Sequence, residues 1–510
     1  MSMARFFSIP AKQKNGTLEI TGADGEEEIL IIPSRWNGFK VSGVARSAFR
    51  SQQKLRHVTI SEEIDTIDVG AFLGCSNLEK AVLPDSLSSI AANAFCQCTR
   101  LNHLQLPACL NHIGSEAFKD CRSLTEIAFS HVPQYVGYDC FLHTPLAEIT
   151  SEGIVHISGK ILLSYQGTAA TLTIPDGIVT IAAGAFQEND SLKQVICPPS
   201  LRFIGEKAFF HCSSLKTVRG LEQVSWMGAY AFAECIHLQQ ILIPLALTEI
   251  PNGAFCGCSQ AKQIYFPQNL SRIGSFAFAH CSEITGILLP EHVAFLGRSA
   301  FYGCSRLQSV KLPSDLQTAG EDIFGECSSL LRLETEKWTG SYGNFGIPQP
   351  IDLILKNNRT QQTAVLFYSD NLERFTPGGC ARLRLSLFDA PEYIDFTEYD
   401  DCLLQLRTRT DQAHFILNRL LHPEKLSSEK QQEYERFICT YARESLAVIV
   451  ARDMEDAAYF LCKNRLVSEE NLTFAVNLAI ERQKPTLLLL FMNYHQTPAS
   501  ADPLDDLFQL

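Results

Sequence analysis

Histidine and cysteine stand side by side at two places in the chain, His211-Cys212 and His280-Cys281. An imidazole that deprotonates a neighbouring thiol produces a nucleophile, but only where the base is within hydrogen-bond reach and the thiol is exposed. Successive residues of an extended segment point in opposite directions. We therefore interpret each pair as an exposed histidine beside a core cysteine, and predict no catalytic residues.

Two further cysteine pairs, Cys96/Cys98 and Cys256/Cys258, are each separated by a single residue. Structural zinc sites usually separate such cysteines by two to four residues. The chain also lacks the sequence motifs of phosphate loops, zinc proteases and serine hydrolases. The glycines at 378–379 are predicted to form a turn. The sequence therefore predicts no metal site, no cofactor and no enzyme.

Cys98 and Cys258 belong to a 23-residue repeat. A fixed period of this length predicts coils stacked in one dimension, each of which buries its apolar face against its neighbours. Weakened copies of the repeat end at Phe141 and Phe324. The regular copies carry an Ala-Phe step whose aromatic residues are Phe49, Phe72, Phe95, Phe118, Phe186, Phe209, Phe232, Phe255, Phe278 and Phe301.

Within one coil, residues 101–107 alternate as a strand that ends at Pro107, where the missing N–H stops strand pairing. Ile113 and the ring of Phe118 are predicted to point inward, and Gly114 marks a position that excludes side chains. A cysteine follows the phenylalanine by three residues in nine coils. We interpret these cysteines as reduced, buried thiols, because stacked side chains run parallel and do not converge as a disulfide requires.

The motif Leu-x-x-Val-x-Leu-Pro-x-x-Leu-x-x-Ile-Gly-x-x-Ala-Phe-x-x-Cys, seen well at 101–121 and 192–212, resembles the BspA-type leucine-rich repeat family. The resemblance covers about 290 residues. It implies a non-enzymatic solenoid that binds proteins, in a family common in host-associated bacteria and often found as surface adhesins. The expected fold class is an α/β-type repeat solenoid, mainly β, followed by an all-α helical-hairpin domain with a weak likeness to ankyrin repeats.

The expected organisation follows from where the period starts, slips and stops. The stretch 154–165 within the irregular coil is predicted to be a β-hairpin, which marks either a bend or binding edge or neutral variation. The predicted segments are an N-terminal cap with an imperfect first coil at 1–45, the solenoid at 46–335 with an irregular coil at 142–184, a linker with a closing strand at 336–376, a helical domain at 377–496 and a flexible tail at 497–510.

Capping residues define the helices of the C-terminal domain. Short loops between them are typical of antiparallel helical hairpins. The predicted helices run from a capping box at Ser428 and Gln431 to Val450, from Met454 to Lys463 after a cap at Asp453, from a cap at Ser468 to Arg482, and from Pro485 to Tyr494.

The formal net charge is −13, which argues against broad binding to nucleic acid or to anionic membranes. The N-terminus lacks the apolar run of a secretory signal, and no apolar stretch is long enough to span a membrane. We expect a cytoplasmic protein without membrane insertion, with the cell surface as the alternative.

The middle residue of each repeat strand is predicted to point away from the core. Leu242, Tyr265 and Leu288 hold this position on three successive coils, and such a contiguous exposed apolar stripe indicates an interaction surface. Polar neighbours, among them Gln239, Gln240, Lys262, Gln263 and Thr285, resemble the rim of such a surface. Strand chemistry alone, or helices folded back over this face, also accounts for the pattern. The candidate partner-binding residues are Val82, Ile196, Leu242, Tyr265 and Leu288.

The sequence thus predicts a non-enzymatic scaffold that binds a protein partner through the strand face of its solenoid. Two alternatives remain. One is a surface adhesin whose export route the sequence does not reveal, and the other is an enzyme within the helical domain.

Overall fold

The computed structural model describes residues 16–23, 27–335, 341–342, 345–347, 351–356, 363–368, 400, 403, 406, 408–423 and 426–495. Part of the predicted cap (1–15), most of the stretch 336–399 and the predicted tail (497–510) lie outside these residues. The chain divides into two compact units, one of Met1–Glu283 with Gly297–Phe301 and one of Ile284–Leu296 with Tyr302–Leu510.

Short strands follow one another along both units. Up to the irregular coil they are β1 Thr17–Ile20, β2 Ile29–Ile32, β3 Arg35–Trp36, β4 Phe39–Val44, β5 His57–Ile60, β6 Thr66–Ile67, β7 Lys80–Val82, β8 Ser89–Ile90, β9 His103–Leu106, β10 His112–Ile113, β11 Glu126–Phe129 and β12 Tyr135–Val136. The irregular coil contains β13 Glu148–Ile149, β14 Ile154–Ile157, β15 Ile161–Tyr165, β16 Thr171–Thr173 and β17 Thr180–Ile181.

The later strands are β18 Gln194–Ile196, β19 Phe203–Ile204, β20 Thr217–Arg219, β21 Trp226–Met227, β22 Gln240–Leu242, β23 Glu249–Ile250, β24 Gln263–Tyr265, β25 Arg272–Ile273, β26 Gly286–Leu288, β27 Phe295–Leu296, β28 Ser309–Lys311, β29 Thr318–Ala319, β30 Arg332–Thr335, β31 Ser341–Tyr342, β32 Ile351–Lys356 and β33 Thr363–Tyr368. The helices among the described residues are α1 Arg409–Leu421, α2 Ser428–Thr440, α3 Ala442–Arg452, α4 Glu455–Lys463, α5 Glu469–Glu481 and α6 Pro485–His495.

A typical coil contributes two strands, which we call A and B. The A strand has three or four residues and precedes the repeat's proline, and the B strand has two residues and contains the inward isoleucine. Both kinds pair in parallel with the equivalent strand of the neighbouring coil, as in β9 with β11 and β8 with β10. In β9 the side chains of Leu104 and Leu106 are buried, whereas those of His103 and Gln105 are exposed. This alternation confirms the predicted phase of the repeat.

The phenylalanine of each coil packs in the centre of the first unit. Rings from consecutive coils stack with centroids 4.6–5.7 Å apart, from Phe49 to Phe141 and again from Phe186 to Phe301. The backbone joins the coils at the same point, because the N–H of Phe209 donates to the carbonyl of Ala231 at 2.7 Å. The repeat solenoid, mainly β, is therefore confirmed.

A left-handed backbone brackets this phenylalanine in every regular coil, two residues before it and two residues after it. Asn93 and Gln97 have φ values of 57° and 61°, and Gly253 and Gly257 occupy the same positions with 62° and 75°. Such angles suit glycine and are tolerated by asparagine. The turn geometry is thus common to all coils although the side chains differ, and the sequence analysis did not predict it.

The irregular coil contains the predicted hairpin. Strands β14 and β15 pair antiparallel, and β15 then pairs in parallel with β17. Tyr165 replaces the phenylalanine of this coil, since its N–H donates to Ala185 and its ring lies 5.6 Å from that of Phe186 at 41°. The aromatic position is therefore kept at residue 165, although the distance from Phe141 to Phe186 is one residue shorter than two regular repeats.

In the second unit, β32 pairs in parallel with β30, and β33 pairs antiparallel with β32. The C-terminal helices confirm the predicted all-α region, with two corrections to their ends. The helix predicted for 428–450 is interrupted at Tyr441, and Ser427 is its N-cap. Asp453 is not an N-cap, because it adopts a left-handed conformation that ends α3. Among the described residues, no helix has the length and apolar character that crossing a membrane requires.

Buried polar side chains connect the helices to the strands within the second unit. Asp352 of β32 accepts hydrogen bonds from His414 at 2.6 Å and from Asn418 at 2.8 Å, both on α1. Arg419 of α1 pairs with Asp400 at 2.7 Å, and the Tyr434 hydroxyl donates to the same carboxylate. Buried charges require such partners, so these contacts fix the position of α1.

Candidate interaction surface on the A strands

The five candidate residues all expose their side chains, as the strand alternation requires. The exposed fractions are 41% for Val82, 36% for Ile196, 46% for Leu242, 49% for Tyr265 and 70% for Leu288. The residue that precedes each candidate in its strand points towards the core instead. Ile241, which precedes Leu242, has 0% exposure. These apolar side chains are therefore accessible to a partner.

Strand register brings only two of the five together. Leu242 of β22 and Tyr265 of β24 are direct partners in one sheet. Val82 lies opposite Thr59, Ile196 lies between Thr173 and Arg219, and Leu288 of the second unit lies opposite Lys311. Within the described residues, the local apolar centre thus consists of Leu242 and Tyr265.

Two further exposed apolar residues, Leu245 and Ile31, were not among the predicted candidates. Leu245 is 68% exposed and follows Pro244, where other coils carry polar residues such as Asp85 or Gln268. Ile31 of β2 is 59% exposed and lies opposite Thr59, so it is the first member of the outward series. The signal in the sequence that could have identified Leu245 was an apolar residue at a position that is polar in other coils.

Four of the five predicted rim residues line a surface groove in the first unit, and Thr285 is not among its lining residues. The groove has a volume of about 870 Å³ and is open to solvent. It is lined by Gln239, Gln240, Ser259, Gln260, Lys262, Gln263, Ser282 and Glu283. The hydroxyl of Tyr265 donates a hydrogen bond at 2.5 Å to Oε1 of Gln263, which is one of the lining residues.

The residues considered for catalysis and metal binding are separated by the fold. His211 and His280 are exposed, while Cys212 and Cys281 are buried. The Cys212 thiol donates to the carbonyl of Phe186 at 3.0 Å, and burial raises the pKa of Cys281.

The two spaced cysteine pairs contain the same contact. Cys98 donates to Phe72 and Cys258 to Phe232, both at 3.3 Å. Across the part of the chain that the structure describes, no three potential metal ligands come together.

The repeats match a family model over most of the solenoid. The BspA type Leucine rich repeat region, a model of six copies, matches residues 42–165, 156–270 and 226–344. Together these matches extend over more than half of the 510 residues. The chain belongs to the BspA-type leucine-rich repeat family. This membership confirms the resemblance noted in the sequence.

Solved structures of other leucine-rich repeat proteins share the repeat at low overall similarity. A protein from Bacteroides ovatus is 21% identical, with 66% of this chain and 93% of that chain covered and a TM-score of 0.32. One from Eubacterium ventriosum is 18% identical, with coverages of 65% and 88% and a TM-score of 0.29. The pneumococcal vaccine antigen PcpA is 17% identical, with coverages of 71% and 93% and a TM-score of 0.25. No curated protein matches this chain.

The structure also explains why a cysteine recurs at the same position of the repeat in this BspA-type chain. From Cys75 to Cys281, the repeat's thiols donate to the carbonyl of the phenylalanine one coil earlier, at 3.0 Å for Cys75 and Phe49 and at 3.1 Å for Cys121 and Phe95. Burial raises the pKa of Cys75 to about 11 and that of Cys121 to about 12. These cysteines are therefore protonated hydrogen-bond donors in the core.

Proposed function

We propose that this BspA-type protein is a non-enzymatic scaffold that binds a protein partner through the outward side chains of its A strands. The observation that carries the proposal is the pairing of Leu242 with Tyr265, two register neighbours with 46% and 49% of their side chains exposed. Fully burying a large apolar side chain stabilises a complex by about 1.5–3 kcal/mol. Tyrosine is also enriched among residues that dominate binding energy.

The surroundings of this pair support an interface. Lys262 and three glutamines lie beside it, which gives an apolar centre with a polar rim. Leu245 adds a third exposed apolar side chain on the same coil as Leu242. Leu288 supplies an equivalent side chain in the second unit, with 70% exposure. Val82 and Ile196 belong to other sheets and are proposed as secondary contacts.

A non-enzymatic role is supported by the state of the candidate nucleophiles. The thiol of Cys212 is buried and engaged with a main-chain carbonyl, while the neighbouring imidazole of His211 faces solvent. A catalytic pair needs both groups at one accessible position. The protein-binding proposal uses none of these groups.

We further propose that the protein works in the cytoplasm, where thiols stay reduced. The support is the core position of the thiols, among them Cys121 and Cys235, whose hydrogen bonds to main-chain carbonyls a disulfide would remove. Labelling of intact cells with a membrane-impermeant amine reagent tests this location. Labelled protein would favour the surface adhesin instead.

The binding face is tested by affinity capture from native lysate, followed by identification of the captured protein and measurement of its affinity with purified components. Leu242→Glu with Tyr265→Glu is expected to weaken binding at least about tenfold, which corresponds to about 1.4 kcal/mol. Leu288→Glu is tested separately because it lies in the second unit.

Ile149→Glu is the matched control, since Ile149 is 61% exposed on β13 of the irregular coil. All variants must keep the melting temperature of the wild type. A partner that binds the Leu242/Tyr265 variant as tightly as the wild type would contradict the proposed face and direct attention to the helices.

A further inference from the structure

The groove beside Tyr265 differs in chemistry from an ordinary ligand pocket. Small-molecule sites of 300–1,000 Å³ are lined mainly by apolar side chains with a few polar groups. This groove has a comparable volume of about 870 Å³, yet all eight side chains that line it are polar. A ligand that fits it must exchange most of its own hydrogen bonds with water for hydrogen bonds with the protein.

Primary amides dominate the lining. Gln239, Gln240, Gln260 and Gln263 each offer two N–H donors and a carbonyl acceptor within one rigid planar group. Gln240 and Gln263 are register partners on β22 and β24, so their side chains follow each other across two coils. Such an array suits a ligand in which donors and acceptors repeat at short intervals.

The charges of the lining balance. Lys262 provides one cation and Glu283 one anion, and the other six side chains are neutral. A strongly anionic or cationic ligand would meet one repulsive group for each attractive one. The site therefore favours a ligand without net charge.

An aromatic side chain contacts one of the residues that line the groove, although Tyr265 is not itself a lining residue. The Tyr265 hydroxyl is tied to Gln263, which places the ring along the strand, and 49% of the residue remains exposed. Because the tyrosine ring has few rotatable bonds and is held at its polar end, it is a preorganised surface against which a flat apolar face can stack.

We propose that this groove binds a neutral oligosaccharide. Vicinal hydroxyls supply closely spaced donors and acceptors for the amides, and the C–H face of a sugar ring packs on Tyr265. The two proposals share Tyr265 and the glutamines, but the oligosaccharide does not need Leu242 or Leu288, so a Leu242 variant distinguishes them.

An extended peptide is the competing ligand, since its backbone also carries donors and acceptors. Specific peptide recognition adds pockets for alternate side chains. The groove offers no apolar lining residue to form one. Its chemistry therefore favours the oligosaccharide.

The test is isothermal titration of the full chain with a panel of neutral hexasaccharides, namely maltohexaose, cellohexaose, xylohexaose and mannohexaose. A short hydrophilic peptide serves as the competing probe. We expect saturable binding of at least one sugar with a dissociation constant of about 1 mM or lower. Gln240→Ala with Gln263→Ala is expected to weaken it at least about tenfold, and so is Tyr265→Ala.

Gln194→Ala is the matched control, because Gln194 holds the same A-strand position as Gln240 in a coil away from the groove. Leu242→Glu should leave sugar binding unchanged, which separates this site from the protein-binding face. The proposal is overturned if no sugar in the panel binds at about 10 mM, if the glutamine variant binds as the wild type does, or if the peptide binds equally well through the same glutamines.

Discussion

The Sγ atom of Cys121 lies 3.1 Å from the carbonyl oxygen of Phe95, which is 26 residues earlier and one coil away. The same thiol-to-carbonyl contact joins Cys98 to Phe72 and Cys235 to Phe209. It adds a second hydrogen bond to a carbonyl that already accepts one from a backbone N–H of its own turn, as the Phe95 carbonyl does from Cys98. The cysteine position therefore stabilises the stack by a hydrogen bond as well as by its volume.

Replacing Cys121 by alanine should lower the free energy of unfolding by about 0.5–1.5 kcal/mol, because the Phe95 carbonyl loses one of its two hydrogen bonds and keeps the one from the Cys98 N–H. Urea unfolding followed by tryptophan fluorescence measures this change. Cys109→Ala, at an exposed cysteine of the same unit, should change stability by less than about 0.5 kcal/mol. Equal effects of the two variants would show that the thiol contact adds no stability.

Exposed and buried cysteines should also differ in their reactivity towards alkylating reagents. Burial raises the pKa of Cys121 to about 12, so the reactive thiolate is nearly absent at neutral pH. Iodoacetamide should modify Cys109 in the native protein and leave Cys121 unmodified until the chain unfolds. Peptide mass spectrometry reads out both sites. Rapid native modification of Cys121 would contradict the buried contact.

Removing one ring from the aromatic stack should be strongly destabilising. Phe209 is fully buried, with centroids of Phe186 and Phe232 at 4.6 and 4.9 Å. Phe209→Ala should lower the free energy of unfolding by about 3–5 kcal/mol through lost burial and the cavity that remains. Phe276→Ala is the control, because Phe276 is 39% exposed. If Phe209→Ala lowers the free energy of unfolding by less than about 1 kcal/mol, the stacked rings contribute little to the stability of the core.

The glycine after the inward B-strand residue should not tolerate alanine. A Cβ atom on Gly228 would lie 2.3 Å from the main-chain nitrogen of Glu206, so the two coils would have to separate. Gly228→Ala should lower stability by about 1–3 kcal/mol. Gly286→Ala is the comparison, since its Cβ would meet nothing closer than 3.7 Å. Thermal unfolding of both variants measures the difference, and similar melting temperatures would refute the close approach.

The second unit should lose stability in mild acid because of His414 and Asp352. Burial lowers the pKa of His414 below its ordinary 6.5 by more than Asp352 raises it. Burial raises the pKa of Asp352, but the hydrogen bonds from His414 and Asn418 outweigh it and hold the pKa below 3.8. The unfolded chain therefore binds more protons than the folded chain below about pH 6.5, and the stability of the folded state decreases as the pH is lowered.

The measurement is the urea midpoint of the second unit at about pH 7.5 and about pH 5. His414→Gln should reduce the difference between the two midpoints, since the titrating imidazole is gone. His292→Gln, at an exposed histidine of the same unit, should leave the difference unchanged. If His414→Gln keeps the full pH dependence, another group is responsible.

The turn around the phenylalanine shows where sequence reasoning stopped. Gly70 and Gly74 hint at two left-handed positions per coil, but Glu116 and Asp120 fill the same positions with φ near 58°. No residue type is shared, because each turn is held by hydrogen bonds to the neighbouring coil, such as Glu116 to Tyr138. A conformation imposed by stacking leaves little compositional trace.

The sequence by itself determined the 23-residue coil, the inward and outward sides of each strand and the aromatic core, because a repeated alternation of apolar residues has only one phase that buries them. Tertiary structure alone decided that the glutamines beside Leu242 and Tyr265 border a groove and that His414 meets Asp352. Those relationships depend on which side chains come into contact from different coils and helices. The spacing of residues along the chain does not encode the distances between these side chains.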